Sequence, residues 1–315
     1  MKIIFFGTPQ IALKSLQALV HAGLTIQAVV TRPDRPQGRG LQMGAPPVKE
    51  FAQELGIEVI QPQKKSDPEL IDRIRELKPD LIVCVAYGAF LVKEILEVPA
   101  LGAINVHPSL LPKYRGASPV QWAVMCGEKE TGVSIFHIGD GMDDGDVVLQ
   151  EKVLIDPEEN AEELFERLIP VGVRLLLSAV RLIEEGTAVR VKQQNDAATF
   201  APKMTKKDGL INWHLSGREI ANRIRGLHPW PIAYTIIPLC GENRELRIFK
   251  AQWIREIPMH EAGTVLEASP QQLRIACSDG VILPLEVQLD SKKRMPIADF
   301  LRGTSIPEKT LLISG

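Results

Sequence analysis

The chain has 315 residues, of which 45% are apolar and 24% charged, and a net charge of −2, figures ordinary for a soluble globular protein long enough for two domains. The longest apolar run, 81–92, is broken by Gly88 and is too short to span a bilayer, and the apolar part of Met1–Phe6 is too short for a secretory signal. Cys84, Cys126, Cys240 and Cys277 stand far apart with no Cys-x-x-Cys or Cys/His cluster, so neither a disulfide framework nor a zinc site is indicated and a reducing cytoplasm is the expected compartment.

In chain order, short apolar runs alternate with helical patterns. Strands are expected at 2–6, 26–31 and 58–60, with helices at 11–22 and 47–55 between them. Continuous apolar runs at 81–86, 102–106 and 132–138 read as further strands covered on both faces. This alternation predicts an α/β domain with a Rossmann-like parallel sheet. No Gly-x-Gly-x-x-Gly follows the first strand, so no nicotinamide cofactor is expected. Asn160 and Glu163 form a cap signal before an amphipathic helix over 164–183, with Pro170 expected to kink it and Gly186 placed to stop it. A polar stretch from Val191 reads as a linker, 191–209. Beyond about Leu210 one helix, 216–225, precedes short strands and turn signals, the pattern of a small β-barrel.

Charge is distributed unevenly along this order. Residues 1–200 carry 21 Lys+Arg against 27 Asp+Glu, whereas 201–315 carry 16 against 12, a net of +4. Lys203, Lys206, Lys207, Arg218, Arg223 and Arg225 face only Asp208 and Glu219 over 203–225, a balance suited either to a polyanionic partner or to a solvated surface.

The most informative stretch is Asn105-Val106-His107-Pro108-Ser109-Leu110-Leu111-Pro112, followed 36 residues after His107 by Asp143 in Gly141-Met142-Asp143-Asp144-Gly145. Alternate side chains of a strand point the same way, so Asn105 and His107 emerge on one face at a strand's carboxyl end, where doubly wound sheets bind ligands. An amide can donate to a developing oxyanion, an imidazole can exchange a proton near neutrality, and a carboxylate can orient the imidazole. That set suits acyl or formyl transfer to an amine, although Asn-x-His alone also recurs in purely structural settings.

Asn-x-His-x-Ser-Leu-Leu-Pro with the later Asp-x-Gly resembles the signature of the folate-dependent formyltransferases. The likeness continues through Phe6-Gly7-Thr8-Pro9, 114–119 and Glu130-Thr131-Gly132-Val133, covering most of the first 200 residues. It implies a formyltransferase catalytic domain over 1–190, a linker over 191–209, and an OB-like barrel that binds tRNA over 210–315. It implies 10-formyltetrahydrofolate as co-substrate without a metal, catalysis by Asn105, His107 and Asp143, and folate contacts at Ser109, Leu110, Leu111 and Pro112, with Tyr87 to Leu91 lining the pterin pocket. In that scheme Asn105 and a protonated or proton-donating His107 stabilise the tetrahedral oxyanion while Asp143 supports His107 and the proton transfers.

The signature specifies the formyl donor better than the acceptor. The loop 31–40, with Arg32, Arg35 and Arg39, resembles the insertion by which the tRNA-acting branch of the family engages the initiator acceptor stem, as do 200–207 and His228-Pro229-Trp230-Pro231. Arg39, Lys203, Lys206, Lys207, Arg218 and Arg225 are therefore the candidate tRNA contacts, the partner is expected to be methionyl initiator tRNA, and the chain is expected to act as a monomer away from membranes. Leu41 and Gln42 follow Gly40 where the resemblance leads one to expect lysines. The alternatives are a formyltransferase for an amino-sugar nucleotide or glycinamide ribonucleotide, and a noncatalytic folate- or RNA-binding module.

Overall fold

A computed structural model of the chain describes residues 1–37, 42–64, 67–239, 241–257 and 260–315. It divides into two compact units. The first comprises Met1–Ala117, Thr131–Val153 and Glu166–Ala201; the second comprises Ser118–Glu130, Leu154–Phe165 and Pro202–Gly315.

The first unit starts with β1 (Lys2–Gly7), α1 (Gln10–His21), β2 (Thr25–Val30), a short hairpin of β3 (Arg35–Gln37) and β4 (Gln42–Gly44), α2 (Pro47–Glu54) and β5 (Glu58–Ile60). It continues through α3 (Pro68–Leu77), β6 (Leu81–Val85), α4 (Lys93–Leu96), β7 (Ala103–His107) and β8 (Arg115–Gly116). Its seven-stranded sheet also contains the two strands β9 (Glu130–His137) and β10 (Val147–Leu154), in the order β10-β9-β7-β6-β1-β2-β5. Every residue from Ile3 to Phe6 and from Leu81 to Val83 is fully buried, as strands covered on both faces require. One of those faces gathers Ile4, Phe6, Ile82 and Cys84 against Leu70 and Ile74 of α3 and Ile95 of α4.

β5, β2, β1, β6 and β7 are mutually parallel, but β9 runs antiparallel to β7. The chain leaves β7 at its carboxyl end and re-enters the sheet from that same end, with His107 opposite Ser134, which reverses the direction of β9. The sheet is thus parallel through five strands rather than throughout.

The long helix α6 (Ala161–Glu184) begins where Asn160 Oδ1 accepts the N–H groups of Glu162 and Glu163 while Glu163 returns a carboxylate to the N–H of Asn160. Pro170 lies inside it without ending it. The stretch after it is structured: Val191 bridges Val147, and β11 (Phe200–Ala201) pairs with β8.

The second unit contains α5 (Pro119–Met125), α7 (Gly217–Gly226), the strands β12 (Ala233–Leu239), β13 (Glu242–Arg255), β14 (Val265–Ala268), β15 (Leu273–Cys277), β16 (Gly280–Leu289) and β17 (Met295–Pro296), and a helix the sequence pattern did not predict, α8 (Ile297–Gly303). The strands form a curled antiparallel sheet in the order β12-β13-β16-β15-β14, with β17 on β16. Its two ends are linked by the tail, where Ile313 bridges Ile236 and Leu311 bridges Thr264, so the sheet is barrel-like. Trp213, fully buried, fills the core and donates its indole N–H to Thr235 Oγ1 at 3.1 Å. Ser216 and Glu219 form the reciprocal cap of α7, whose Ile220 and Ile224 point into the same core.

Candidate active site

β7 delivers Asn105 and His107 to one face because they are two residues apart on a strand. Pro108 follows immediately, and the turn beyond it is held by a closed set of hydrogen bonds. Ser109 Oγ donates to Lys113 O at 2.6 Å, Ser134 Oγ donates to Ser109 O at 2.6 Å and accepts from Leu111 N at 3.1 Å, and Gln150 Nε2 donates to Leu111 O at 3.0 Å. The His107 ring meets the Phe136 ring edge-on.

His107 is buried. Its Nε2 lies 2.9 Å from Tyr114 O, and a carbonyl can only accept, so Nε2 carries the proton. The other nitrogen, Nδ1, lies 3.6 Å from Asp143 Oδ2. Burial lowers the imidazole pKa from its ordinary 6.5, outweighing the opposing pull of the Asp143 carboxylate and of Tyr114 O. The ring is therefore neutral at neutral pH, with the lone pair on Nδ1. In this state His107 can accept a proton at Nδ1 and afterwards give it back.

Asp143 sits in the left-handed region at φ 50. Its carboxylate Oδ2 accepts the Gly116 N–H at 2.8 Å, and its own carbonyl accepts from Gln193 Nε2 at 2.8 Å. Gly116 itself has φ 126, and a Cβ there would approach Ala201 O to 2.6 Å, so glycine is required where β8 and β11 meet beside the carboxylate.

Asn105 and Asp143 line one cavity of about 320 Å³ with Cys84, Ala86 to Leu91, Gly116, Ala117, Phe136, Ile138 and Met142. The volume and the mainly apolar wall with a few convergent polar groups are those of a small-molecule site. Asn105 Oδ1 is buried without a hydrogen-bond partner among the described residues, which leaves that side chain uncommitted to the fold. Cys84 contributes only bulk, since burial pushes its thiol up to about 12. The wall at Tyr87 and Gly88 is fixed from outside by Arg32, whose Nε donates to Tyr87 O at 3.1 Å and whose Nη2 donates to Gly88 O.

The structure thus brings Asn105, His107 and Asp143 together. Leu110 and Pro112 are partly buried, Ser109 and Leu111 are buried in the turn, and none of these four lines that cavity, to which 86–91 contribute the longest continuous stretch. In the second unit, Lys203, Lys206, Lys207 and Arg218 are exposed, with Lys206 Nζ 3.3 Å from Glu245 and Arg218 stacked over Trp253. Arg225 does not point outward. Its guanidinium donates to Glu159 O and Val124 O and to the Asn222 side chain, because the segments 118–130 and 154–165 cover that face of α7. Arg39 lies outside the described residues. A cleft of about 510 Å³ lies within the second unit between α7 and β13; its Glu286 and Arg294 are already paired.

Sequence reasoning placed Arg32 in a tRNA-facing loop rather than against the cavity wall, and it overlooked Arg115 and Gln193. A polar run such as 192–198 reads as a linker, and nothing in it marks Gln193 as a partner of residues 143 and 145.

A Rossmann-like sheet with an amide, an imidazole and a carboxylate gathered at the carboxyl end of β7 defines a group-transfer enzyme of the formyltransferase type. Residues 1–180 match the formyl transferase family and 203–305 match the formyl transferase C-terminal domain, and the chain belongs to that family. It is 45% identical over 312 residues to the methionyl-tRNA formyltransferase of Syntrophus aciditrophicus (strain SB), covering 99% of both chains. It is 43% identical over 306 residues to the methionyl-tRNA formyltransferase of Clostridioides difficile (strain 630), covering 97% of this chain and 98% of the relative. In fold it resembles an N-formyltransferase from Helicobacter canadensis in complex with folinic acid and dTDP-3-aminofucose, with a TM-score of 0.68 at 20% identity over 90% of this chain and 98% of that one. It also resembles HypX from Aquifex aeolicus in complex with tetrahydrofolic acid, with a TM-score of 0.62 at 18% identity over 96% of this chain; the match spans 47% of HypX, about half its length.

Proposed function

We propose that the protein transfers the formyl group of 10-formyltetrahydrofolate to the α-amine of methionine on initiator tRNA, with Asn105, His107 and Asp143 as the catalytic residues. The observation that carries the chemistry is one cavity presenting an uncommitted amide and a carboxylate, with a neutral imidazole nitrogen 3.6 Å from that carboxylate. The acceptor is supported by 45% identity to a methionyl-tRNA formyltransferase over 99% of the chain, which includes the segment 201–315 with its net charge of +4.

The formyl group enters the cavity with its carbon facing the amine, and the neutral amine attacks. Negative charge then develops on the formyl oxygen, where the Asn105 side-chain N–H donates to it. The ammonium formed by attack loses one proton to His107 Nδ1, while Tyr114 O holds the opposite N–H in place and Asp143 stabilises the imidazolium. Collapse breaks the bond from the formyl carbon to N10 of the folate, and the proton held on Nδ1 passes to N10, so the protonation of the enzyme is restored. Tyr87 to Leu91 form the wall for the pterin ring; Ser109 to Pro112 serve it indirectly, by holding the turn that fixes His107.

Lys203, Lys206, Lys207 and Arg218 are assigned to phosphate contacts, together with Arg39, whereas Arg225 braces α7. The test is to incubate the protein with 10-formyltetrahydrofolate and methionyl initiator tRNA, glycinamide ribonucleotide or an amino-sugar nucleotide, and to identify the formylated product. Formylmethionyl-tRNA with an equal yield of tetrahydrofolate supports the proposal, and a formylated small amine with unmodified tRNA rejects it.

A further inference from the structure

Asp143 sits in the left-handed backbone region, which aspartate tolerates better than most residues but still adopts only occasionally, and a group outside residues 139–146 braces it there. That holder is identifiable. Gln193 Nε2 donates to Asp143 O at 2.8 Å and to Gly145 O at 2.7 Å, using both amide hydrogens on the two carbonyls that flank Asp144. Gln193 Oε1 accepts from Arg115 Nε at 3.0 Å and from Arg115 Nη2 at 2.8 Å. A guanidinium only donates, so the atom facing Arg115 must be the amide oxygen and the NH₂ must face the loop; the amide has one permitted orientation. Arg115 is itself buried, its Nη2 also donates to Asn195 Oδ1 at 2.8 Å, and its backbone N–H is held by Thr199 O at 2.9 Å. The next residue, Gly116, binds the Asp143 carboxylate. Backbone and side chain of Asp143 are therefore both located from the same two-residue strand, β8.

We propose that Gln193 is the positioning residue for Asp143: it fixes the loop so that the carboxylate stays beside His107 Nδ1, and the Arg115 guanidinium is what aims it. This rests on the catalytic reading given above for the proton transfer, but the geometric part can be read without turnover. The informative substitution is Gln193→Glu. It has the same size and keeps an oxygen for Arg115, yet at neutral pH it cannot donate to either carbonyl and sets a carboxylate oxygen against them.

In the full chain, Gln193→Glu should lower kcat for methionyl-tRNA formylation by about 100-fold, the scale of a misplacement of about 1 Å, with both KM values within about threefold. Gln193→Ala should do the same, and in that variant the His107 imidazole, followed by NMR without substrates, should titrate at lower pH than in the unaltered protein because the nearby carboxylate has moved away. Thermal unfolding of both variants shows whether the fold persists; if Gln193→Glu does not fold, Gln193→Ala decides. Turnover unchanged within about threefold, a loss confined to KM, or an unmoved His107 titration in Gln193→Ala would each overturn the assignment. If the unaltered protein does not formylate methionyl-tRNA, the functional reading fails on its own, and the His107 titration still decides whether Gln193 positions Asp143.

Discussion

At the scale of single residues, two buried histidines set how the protein responds to acid. Burial lowers the His107 pKa from its ordinary 6.5, and the proposed mechanism needs the neutral form to take the amine's proton at Nδ1. The acid limb of kcat/KM attributable to the enzyme should accordingly lie below pH 6.5, measured with an acceptor whose own amine titration is recorded separately; a limb at or above that value would contradict a neutral Nδ1. His137, 8% exposed and with Nε2 unpartnered among the described residues, is lowered to about 4, first by burial and then by Arg190. Its folded pKa is below its unfolded one, so the unfolded chain takes the proton first. The resulting stability is present above pH 6.5 and is lost as pH falls toward 4, by about 3 kcal/mol over that window. Denaturant unfolding at neutral pH and near pH 4 should show that His137→Leu loses less stability on acidification by about this amount; equal losses would mean that the ring is not held neutral. Asn105, His107 and Asp143, which the structure gathers at the carboxyl end of β7, were singled out in the sequence because their types and spacing suit formyl transfer. Gln193 and Arg115 were not, because a glutamine acts here through the two carbonyls it reaches, and no local pattern encodes a partner 50 residues away.

At the scale of elements, the strands fully covered on both faces were legible from their apolar runs, α1 and α2 from their period, and α6 and α7 from their period and caps. α3 escaped a reading based on apolar runs because half of Pro68–Leu77 is charged, although Asp67 caps it and Pro68 occupies its first turn. From Leu149 onward β10 alternates half-buried and exposed positions, as a strand with one wet face does, a weaker signal than the continuous runs beside it. The hairpin β3–β4 is too short to carry a period at all. Its root matters for function. Arg32, three residues before β3, spans Tyr87 O and Gly88 O on the cavity wall, while Arg32 O is held by Gln61 and Asp34 is clamped by Lys49 and Gln61. Arg32→Ala should free the wall and weaken folate binding by about tenfold, the loss of roughly one charge-assisted hydrogen bond. Titration with 5-formyltetrahydrofolate measures this directly, and an unchanged Kd would show that the wall holds its shape without Arg32.

At the scale of the whole molecule, the two units interleave along the chain in a way no sequence period reveals. Residues 118–130 and 154–165 lie between strands of the first unit, yet Trp122 and Met125 pack with the core of the second, Trp122 Nε1 donates to Pro202 O, and Arg225 reaches Glu159 O. Hydrophobic periodicity tells which face of a helix is buried, not which core buries it. A fragment ending at Ala201 should therefore expose Trp122 and Met125 and aggregate or melt well below the full chain. Ending it near Gln194 should be worse, since Asn195 and Thr199 brace Arg115 and Tyr114. Size-exclusion chromatography and thermal unfolding of both fragments test this, and a monomeric fragment as stable as the full chain would contradict it.

The proposed function places formyl transfer to methionyl-tRNA in the cavity at the carboxyl end of β7, with Asn105 stabilising the oxyanion. Its most direct test is the single-turnover rate of formylation by Asn105→Ala, with 10-formyltetrahydrofolate and methionyl initiator tRNA both saturating. The rate should fall by about 10² to 10³, as for loss of one oxyanion donor. A rate near that of the unaltered protein would contradict the claim.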